Sequence, residues 1–314
     1  MRKLISKFFL FLIAITLLIA ALLYFSNRII NDGNYFSLKS NSKYVVFGHS
    51  HPAYAFNDSL IENFVNYAQQ GECYFYTYFK VKKILENNKR IETVFIDFSN
   101  NQIDKRMDDW IWSDRFLDEN CPDYMPFLGF EDLKILIRNN WRGLLELQNI
   151  SLRSNVSFFY GNEMNYFKSK NAIGYLYSDR QKADSLIKTI PVQKSNIKAD
   201  TGISEINIHY LEKILDLCTA NKVKVYLIRT PIHSRSGELL NEDKFQQILS
   251  SRFKTIEFLD FKRFPLADAE FGDLEHLNYK GAEKFSLFFN LLMKENVLAQ
   301  SEKQKFIDKE MVKE

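Results

Sequence analysis

Glycine is scarce in this chain. Its 11 glycines in 314 residues are about half the usual share of roughly 7%. No Gly-rich dinucleotide fingerprint, phosphate-binding P-loop or repeat of 20–50 residues occurs, so a Rossmann oxidoreductase, a Walker-type NTPase and a solenoid are excluded as readings. Cysteine is also sparse, at three. Cys73, Cys121 and Cys218 form no Cys-x-x-Cys pair or His/Cys cluster, and no zinc site or other metal site is expected. Cys218 falls on the apolar side of an expected helix, while Cys73 and Cys121 remain as a pair that an oxidising compartment could join. Charge of one sign is missing too. The net charge is +3, and Arg2, Lys3, Lys7 and Arg28 account for it, leaving the rest close to neutral. That balance offers nucleic acid no basic footprint. Nothing in the sequence calls for a cofactor.

One long apolar run is present. Phe8 to Phe25 is apolar except for Thr16, and 18 helical residues at about 1.5 Å each span roughly 27 Å, enough to cross a hydrocarbon core. Arg2, Lys3 and Lys7 precede it, so the positive-inside rule places the remainder outside the cytoplasm. The run exceeds the usual h-region of about 7–15 residues, and Leu22-Leu23-Tyr24-Phe25 is no small-residue cleavage site. No cysteine follows to carry a lipid. The expectation is a cytoplasmic N-terminus (1–7), an uncleaved signal-anchor (8–26), a linker (27–40), a single-pass extracytoplasmic domain (41–298) and a charged tail (299–314) read as a solvated helix or disordered.

In the exported part, hydrophobic residues at 46% and aromatics at 15% of the whole sequence argue against disorder. Four short runs read as buried strands: Tyr44–Phe47, Thr93–Phe98, Val223–Ile228 and Ile256–Leu259. Each is rich in β-branched or aromatic residues and lies near a helical pattern. Helices are expected at Ser204–Cys218, at Glu131–Gln148 and after Asn278, where Ala282, Phe285, Phe289 and Leu292 repeat at helical spacing. Strands alternating with helices predict an α/β protein, a three-layer α/β/α sandwich around a mainly parallel sheet. Residues from about 101 to 198 break that rhythm. They are crowded with aromatics and read as a mainly helical insertion, either lining a ligand site at the sheet's C-terminal edge or simply packing as a subdomain.

Ligand sites of open α/β sheets lie outside the carboxyl ends of the strands. The first strand runs into Gly48-His49-Ser50-His51, a corner that presents a serine hydroxyl and backbone N–H groups. Alone, such a Gly-x-Ser is most often an ordinary turn. A serine nucleophile needs a base, and the chain has five histidines. His276 stands three residues after Asp273, close enough for a carboxylate to hold the imidazole tautomer. Asn278 reads as the cap of the last helix. His233 follows the third run and could bind an anionic or hydroxyl-bearing substrate, or be an ordinary loop histidine. His49 and His51 flank Ser50 as substrate-binding candidates, and Asn278 is a further one. His209, inside a helix, is assigned nothing.

Taken together, Gly-x-Ser after the first strand and Asp-x-x-His before the last helix resemble the two ends of the SGNH (GDSL-like) hydrolase pattern. The order of elements from Tyr44 to about Leu292 is similar to that superfamily, and more narrowly to its membrane-anchored extracytoplasmic branch, which includes envelope polysaccharide O-acetyltransferase and esterase proteins. The resemblance implies a Ser50 nucleophile, a His276 base and an orienting Asp273. It also implies an oxyanion hole from the Ser50 N–H, a glycine of a second block, which Gly71 fits, and an asparagine of a third. The usual Gly-x-Asn-Asp of that block is absent, and Asn100 is the substitute chosen.

The function expected is a serine-dependent acyl-ester hydrolase or O-acyltransferase on a cell-envelope substrate, an acyl ester of the acetylated-polysaccharide kind. A cytoplasmic acyl donor requires a separate multispanning partner, because one helix forms no transport path. The absent third block motivates a second expectation, a membrane-anchored binding or assembly subunit with little or no activity. A lipid esterase at the membrane surface is a third.

Overall fold

Val46, Phe95, Tyr226, Ile228 and Leu259 lie on one face of a five-stranded sheet, brought side by side by parallel register: Val46 opposite Phe95, Phe95 opposite Tyr226, and Ile228 opposite Leu259. The computed structural model describes residues 2–161, 165–169, 173–180, 185, 202–236 and 241–313. Along the chain these form α1 (Arg2–Asp32), β1 (Tyr44–Phe47), α2 (Ser50–Ala55), β2 (Phe64–Asn66), α3 (Tyr74–Asn87), β3 (Thr93–Asp97), α4 (Met107–Trp112), α5 (Asp114–Tyr124), α6 (Phe130–Tyr160), α7 (Tyr166–Ser169), α8 (Glu205–Ala220), β4 (Lys224–Arg229), α9 (Glu242–Arg252), β5 (Glu257–Asp260), α10 (Tyr279–Lys294) and α11 (Lys303–Met311). The protein is an α/β protein. Its sheet is parallel throughout, in the order β2-β1-β3-β4-β5.

The four expected strands are present to within a residue or two at each end. β2 is the one sequence reading missed. Three residues give no measurable alternation, and its place at the sheet edge leaves only one neighbour to demand a pattern. The helix expected from Ser204 runs from Glu205 to Ala220, with the Ser204 hydroxyl accepting the Asn207 N–H at 3.2 Å. α10 places Phe285, Phe288, Phe289 and Leu292 against the sheet face described above. That i, i+3, i+4, i+7 stripe buries three phenylalanines, each worth roughly 1.5–3 kcal/mol relative to exposure.

The chain divides into two compact units, one of residues 1–37 and 109–171, the other of 38–108 and 172–314. In the first, α1 is a 31-residue helix and the one described helix long and apolar enough to cross a membrane. It continues beyond the expected end of the span to Asp32, and Ile30 and Phe36 are fully buried, so the expected linker is partly structured. The expected helix at Glu131–Gln148 is α6, which is longer. Asn140 departs from helical geometry (φ −153°, ψ 69°) and its side chain bridges the break. Its amide donates to Trp112 O at 2.8 Å and Asp114 Oδ1 at 2.7 Å, while its Oδ1 accepts the Gly143 N–H at 2.9 Å.

In the second unit, the tail read as a solvated helix or disordered is a helix, α11, and only its solvation is corrected. α11 buries Ile307 in the main core cluster, with Phe306 and Met311 packed beside it. The pairing left open between Cys73 and Cys121 is not made: both are buried thiols outside any disulfide, and Cys218 is buried as expected. Burial pushes the Cys73 and Cys218 thiols up to about 12, so neither is a reactive thiolate. Residues 162–164, 170–172, 181–184 and 186–198 of the expected insertion lie outside the described residues.

Candidate active site

The corner after β1 is built around a close approach. Gly48 sits at φ 151°, and a Cβ there would lie 2.4 Å from Asp97 Cβ and 2.9 Å from Pro52 Cγ. Glycine is therefore required for β1 to turn into α2 against the end of β3. Ser50 opens α2 at 8% exposure. His49 caps the helix in place of the usual hydroxyl or carboxylate, its Nδ1 accepting the His51 N–H at 3.1 Å. Among the described residues no partner takes the Ser50 N–H.

His276 reaches this corner from a loop that is closed on itself. Phe271 pairs with Leu277 in an isolated antiparallel bridge, and the Gly272 N–H donates to His276 O at 2.8 Å. Asp273 Oδ1 accepts the N–H groups of Glu275 and His276, both at 2.9 Å. The same oxygen lies 3.0 Å from His276 Nδ1, with Oδ2 at 3.2 Å. A carboxylate so placed holds the proton on Nδ1 and leaves Nε2 as an acceptor. Ser50 Oγ is 2.8 Å from that Nε2. Burial opposes ionisation of Asp273, but the His276 hydrogen bond and charge, with the two backbone N–H groups, outweigh it and hold the carboxyl at about 2. Arg180 Nη1, at 3.3 Å from Oδ2, adds a half-exposed cation on the outer side.

A second buried chain of polar groups lies behind Ser50. His49 and Asp97 are both fully buried. Because the His51 N–H can only donate, His49 Nδ1 carries no proton, and its Nε2–H faces Asp97 Oδ2 at 3.1 Å, Ser99 Oγ at 3.0 Å and Asn101 Oδ1 at 2.9 Å. His49 Nδ1 also lies 3.4 Å from Ser50 Oγ, a longer and weaker contact than the one to His276. His49 was expected to meet substrate; its ring nitrogens face inward instead. His51, 4% exposed, packs edge-on to His276 with ring centroids 5.5 Å apart. Burial chiefly, together with the adjacent His276, pushes its pKa well below the ordinary histidine value, so it is neutral. Among the described residues, no group of three or more His, Cys, Asp or Glu side chains is placed to hold a metal ion.

Gly71 lies on a loop tied to the serine corner: Tyr67 N–H donates to Val46 O at 2.8 Å and Gln69 N–H to Gly48 O at 2.9 Å. It adopts φ 75° with open space where a side chain would stand. The fully buried Lys80 fixes the loop from beneath, donating to Tyr67 O at 3.2 Å, Gln69 Oε1 at 3.0 Å and Glu72 Oε2 at 2.9 Å.

Three expected roles are corrected. Asn100 points away from oxyanion chemistry. Both its amide hydrogens are taken, by Asn241 Oδ1 at 3.1 Å and Glu242 Oε2 at 3.0 Å, and its Oδ1 accepts from Arg229 Nη1 at 2.8 Å. Arg229 and Asp260, opposed in register at the ends of β4 and β5, anchor this ionic cluster. The neighbouring Asn101 joins the His49 group through its Oδ1. His233 has both ring nitrogens engaged, Nδ1 accepting the Arg235 N–H at 3.1 Å and Nε2 facing Asp268 Oδ1 at 3.0 Å. Its backbone N–H donates to Leu274 O at 3.2 Å, so it braces the Asp273–His276 loop. Asn278 is the cap that its position suggested and is consumed by that task. Its Oδ1 accepts from Lys280 and Gly281, and its Nδ2 donates to Ala269 O at 2.7 Å.

Sequence reading missed Asp97, Asn101, Lys80, Tyr54 and Arg180. Asp97 carried a signal, an acid ending a strand otherwise made of buried apolar residues; Lys80 carried none beyond its place among aromatics on α3. Tyr54 covers the site from α2, its ring centroid 5.0 Å from that of His276. The segment 176–180 connects the two halves of the site. Leu176 N–H donates to Ala53 O at 2.8 Å and Tyr279 N–H to Ser178 O at 2.7 Å. There the exposed Tyr177 ring stacks on Tyr279 at 5.4 Å and 22°.

The model of an uncharacterised family matches residues 163–298, less than half of the chain. That span contains Asp273 and His276 but not Ser50. No curated protein matches the chain.

Proposed function

We propose that this protein is a serine-dependent acyl-ester hydrolase or O-acyltransferase of the cell envelope, with an SGNH-type three-layer α/β/α domain held at the membrane by α1. The observation that carries the reading is the continuous hydrogen-bonded series Ser50 Oγ–His276 Nε2 at 2.8 Å and His276 Nδ1–Asp273 Oδ1 at 3.0 Å. Ser50 Oγ attacks the ester carbonyl as His276 Nε2 takes its proton. Asp273 remains ionised and stabilises the imidazolium. Collapse of the tetrahedral intermediate, with the same proton passed to the departing alcohol, leaves an acyl-Ser50. Water or a sugar hydroxyl, deprotonated by His276, then accepts the acyl group.

The oxyanion receives the Ser50 N–H and a donor from the Gly71 loop, whose ties to Val46 and Gly48 fix it beside the corner. We assign the third donor to Asn101 in place of Asn100. Its Oδ1 is held by Ser99 and His49, which leaves the amide hydrogens as donors. The stacked Tyr177 and Tyr279 favour a substrate with a ring to pack on, as acetylated polysaccharide has. The basic residues at the start of α1 support an extracytoplasmic domain, and transfer from a cytoplasmic donor would need a multispanning partner.

The committed side chain of Asn100 favours a second reading, an anchored binding subunit that keeps the fold without the rate. Turnover of p-nitrophenyl acetate by the full chain in detergent separates the two. Loss of about 10⁴-fold in Ser50→Ala, with the fold intact, supports the enzyme; equal rates in wild type and Ser50→Ala support the binding subunit.

A further inference from the structure

The aromatic residues of α6 take no part in the proposed chemistry, and the helix is two-sided. Gly143, Leu147, Ser151 and Asn155 are buried. Trp141, Leu145, Val156, Phe159 and Tyr160 remain exposed, by 54%, 57%, 43%, 42% and 87%. With 3.6 residues per turn these five fall within an arc of about 100°, on the side away from the buried residues. A stripe of this kind on a folded protein marks a surface that something covers.

Two observations indicate what covers it. The first is depth. Asn155 Nδ2 donates to Ser26 Oγ at 2.9 Å and to Asn27 Oδ1 at 2.6 Å. Ser26 and Asn27 are the first polar residues after the apolar run Phe8–Phe25, so where α1 spans a bilayer they stand at its water-facing boundary. Val156, Phe159 and Tyr160 follow Asn155 within about one and a half turns, at the level where aromatic side chains gather at membrane interfaces. The second is charge. Arg142 and Arg153 border the stripe, exposed, with the Arg142 guanidinium 5.3 Å from the Trp141 ring centre. Cations flanking an apolar stripe fit anionic lipid headgroups over an acyl layer.

We infer that α6 lies in the headgroup–acyl boundary of the bilayer, its Trp141-to-Tyr160 stripe embedded in lipid, as a second attachment beside α1. This rests on α1 being a membrane anchor. The attachment fixes unit 1 on the surface rather than leaving it to pivot on a single helix, and adds apolar burial together with headgroup attraction.

The test uses the full chain reconstituted in phosphatidylcholine vesicles containing phosphatidylglycerol, with acyl chains brominated near the carbonyl. The three tryptophans are Trp110, Trp112 and Trp141, and none lies in α1. Replacing Trp110 and Trp112 by Phe makes Trp141 the sole reporter, and W141F in the unaltered chain gives the same information by difference if that double variant does not fold. The expected result is a blue-shifted Trp141 emission that brominated lipid lowers by about two-fold or more. Retention of the chain on vesicles through alkaline carbonate with an unquenched Trp141 overturns the inference while leaving the anchor intact, and is the result if a second copy of the chain covers the stripe. Release of the chain by carbonate overturns the anchor, and the interfacial helix with it.

Discussion

His49 Nε2 lies 3.1 Å from Asp97 Oδ2 with both side chains fully buried, and the opposite edge of the same ring caps the helix that Ser50 opens. Ser50, the proposed nucleophile, is thus held from behind by one histidine and faced by another. The buried carboxylate gives His49 a structural weight that its exposed-looking Gly-His-Ser-His context conceals. His49→Leu leaves that carboxylate without its ring donor and is expected to lower stability by about 3 kcal/mol or more. Asp97→Asn keeps shape and polarity and should cost less, about 1–3 kcal/mol. Urea denaturation at neutral pH orders the two, and a reversed order contradicts the arrangement.

The corner itself admits no side chain at residue 48. A methyl group would overlap Asp97 Cβ at 2.4 Å, so Gly48→Ala must displace β3 or α2. The expected outcome is a loss of stability of roughly 1–3 kcal/mol, accompanied by a loss of turnover larger than the folded fraction explains, because Ser50 moves with α2. Thermal unfolding and ester turnover on the same sample check it.

In the proposed mechanism the two adjacent asparagines divide between the oxyanion and the frame. Asn101→Ala is expected to reduce kcat by about 10²–10³-fold, the cost of one oxyanion donor. Asn100→Ala removes partners from the Arg229–Glu242 cluster and should instead lower the midpoint of unfolding by about 1–3 kcal/mol, with kcat little changed. Equal effects of the two substitutions on kcat would show that the choice between them is wrong.

The acid side of stability follows from His51 and Asp273. His51 is neutral in the fold, with its pKa depressed chiefly by burial, whereas the unfolded chain binds its proton as pH falls below about 6.5. Stability therefore declines from that pH downward, and His51→Gln should flatten the decline. Asp273 is ionised in the fold down to about 2, so its contribution is present above about pH 4 and fades as pH falls toward 2. Guanidinium titrations from pH 7 to pH 3 on wild type, His51→Gln and Asp273→Asn separate the two ranges.

Local patterns were legible in the sequence and distant pairings were not. Gly48, Ser50, Asp273, His276 and the Asn278 cap each announce themselves within six residues, because turn chemistry and helix capping are local. The strands β1, β3, β4 and β5 stand out as short apolar runs. What sequence could not supply is the partner across the sheet. That Asn100 turns into an ionic cluster depends on the course of the chain leaving β3, and on Arg229, 129 residues away. His233 reads as a site residue because it follows β4 at the reactive edge, yet Asp268 takes its ring. α6 was read as ending at Gln148, where polar residues begin, although buried Ser151 and Asn155 carry the helix on to Tyr160.

Labelling of the full chain with a fluorophosphonate, with the adduct located by mass spectrometry, decides whether Ser50 is a nucleophile activated by His276 and oriented by Asp273. The expected result is a single adduct on Ser50, absent in Ser50→Ala and slowed by about 10³-fold or more in His276→Ala, with both variants folded by circular dichroism. Labelling that survives Ser50→Ala, or a folded wild-type chain that never labels, would contradict it.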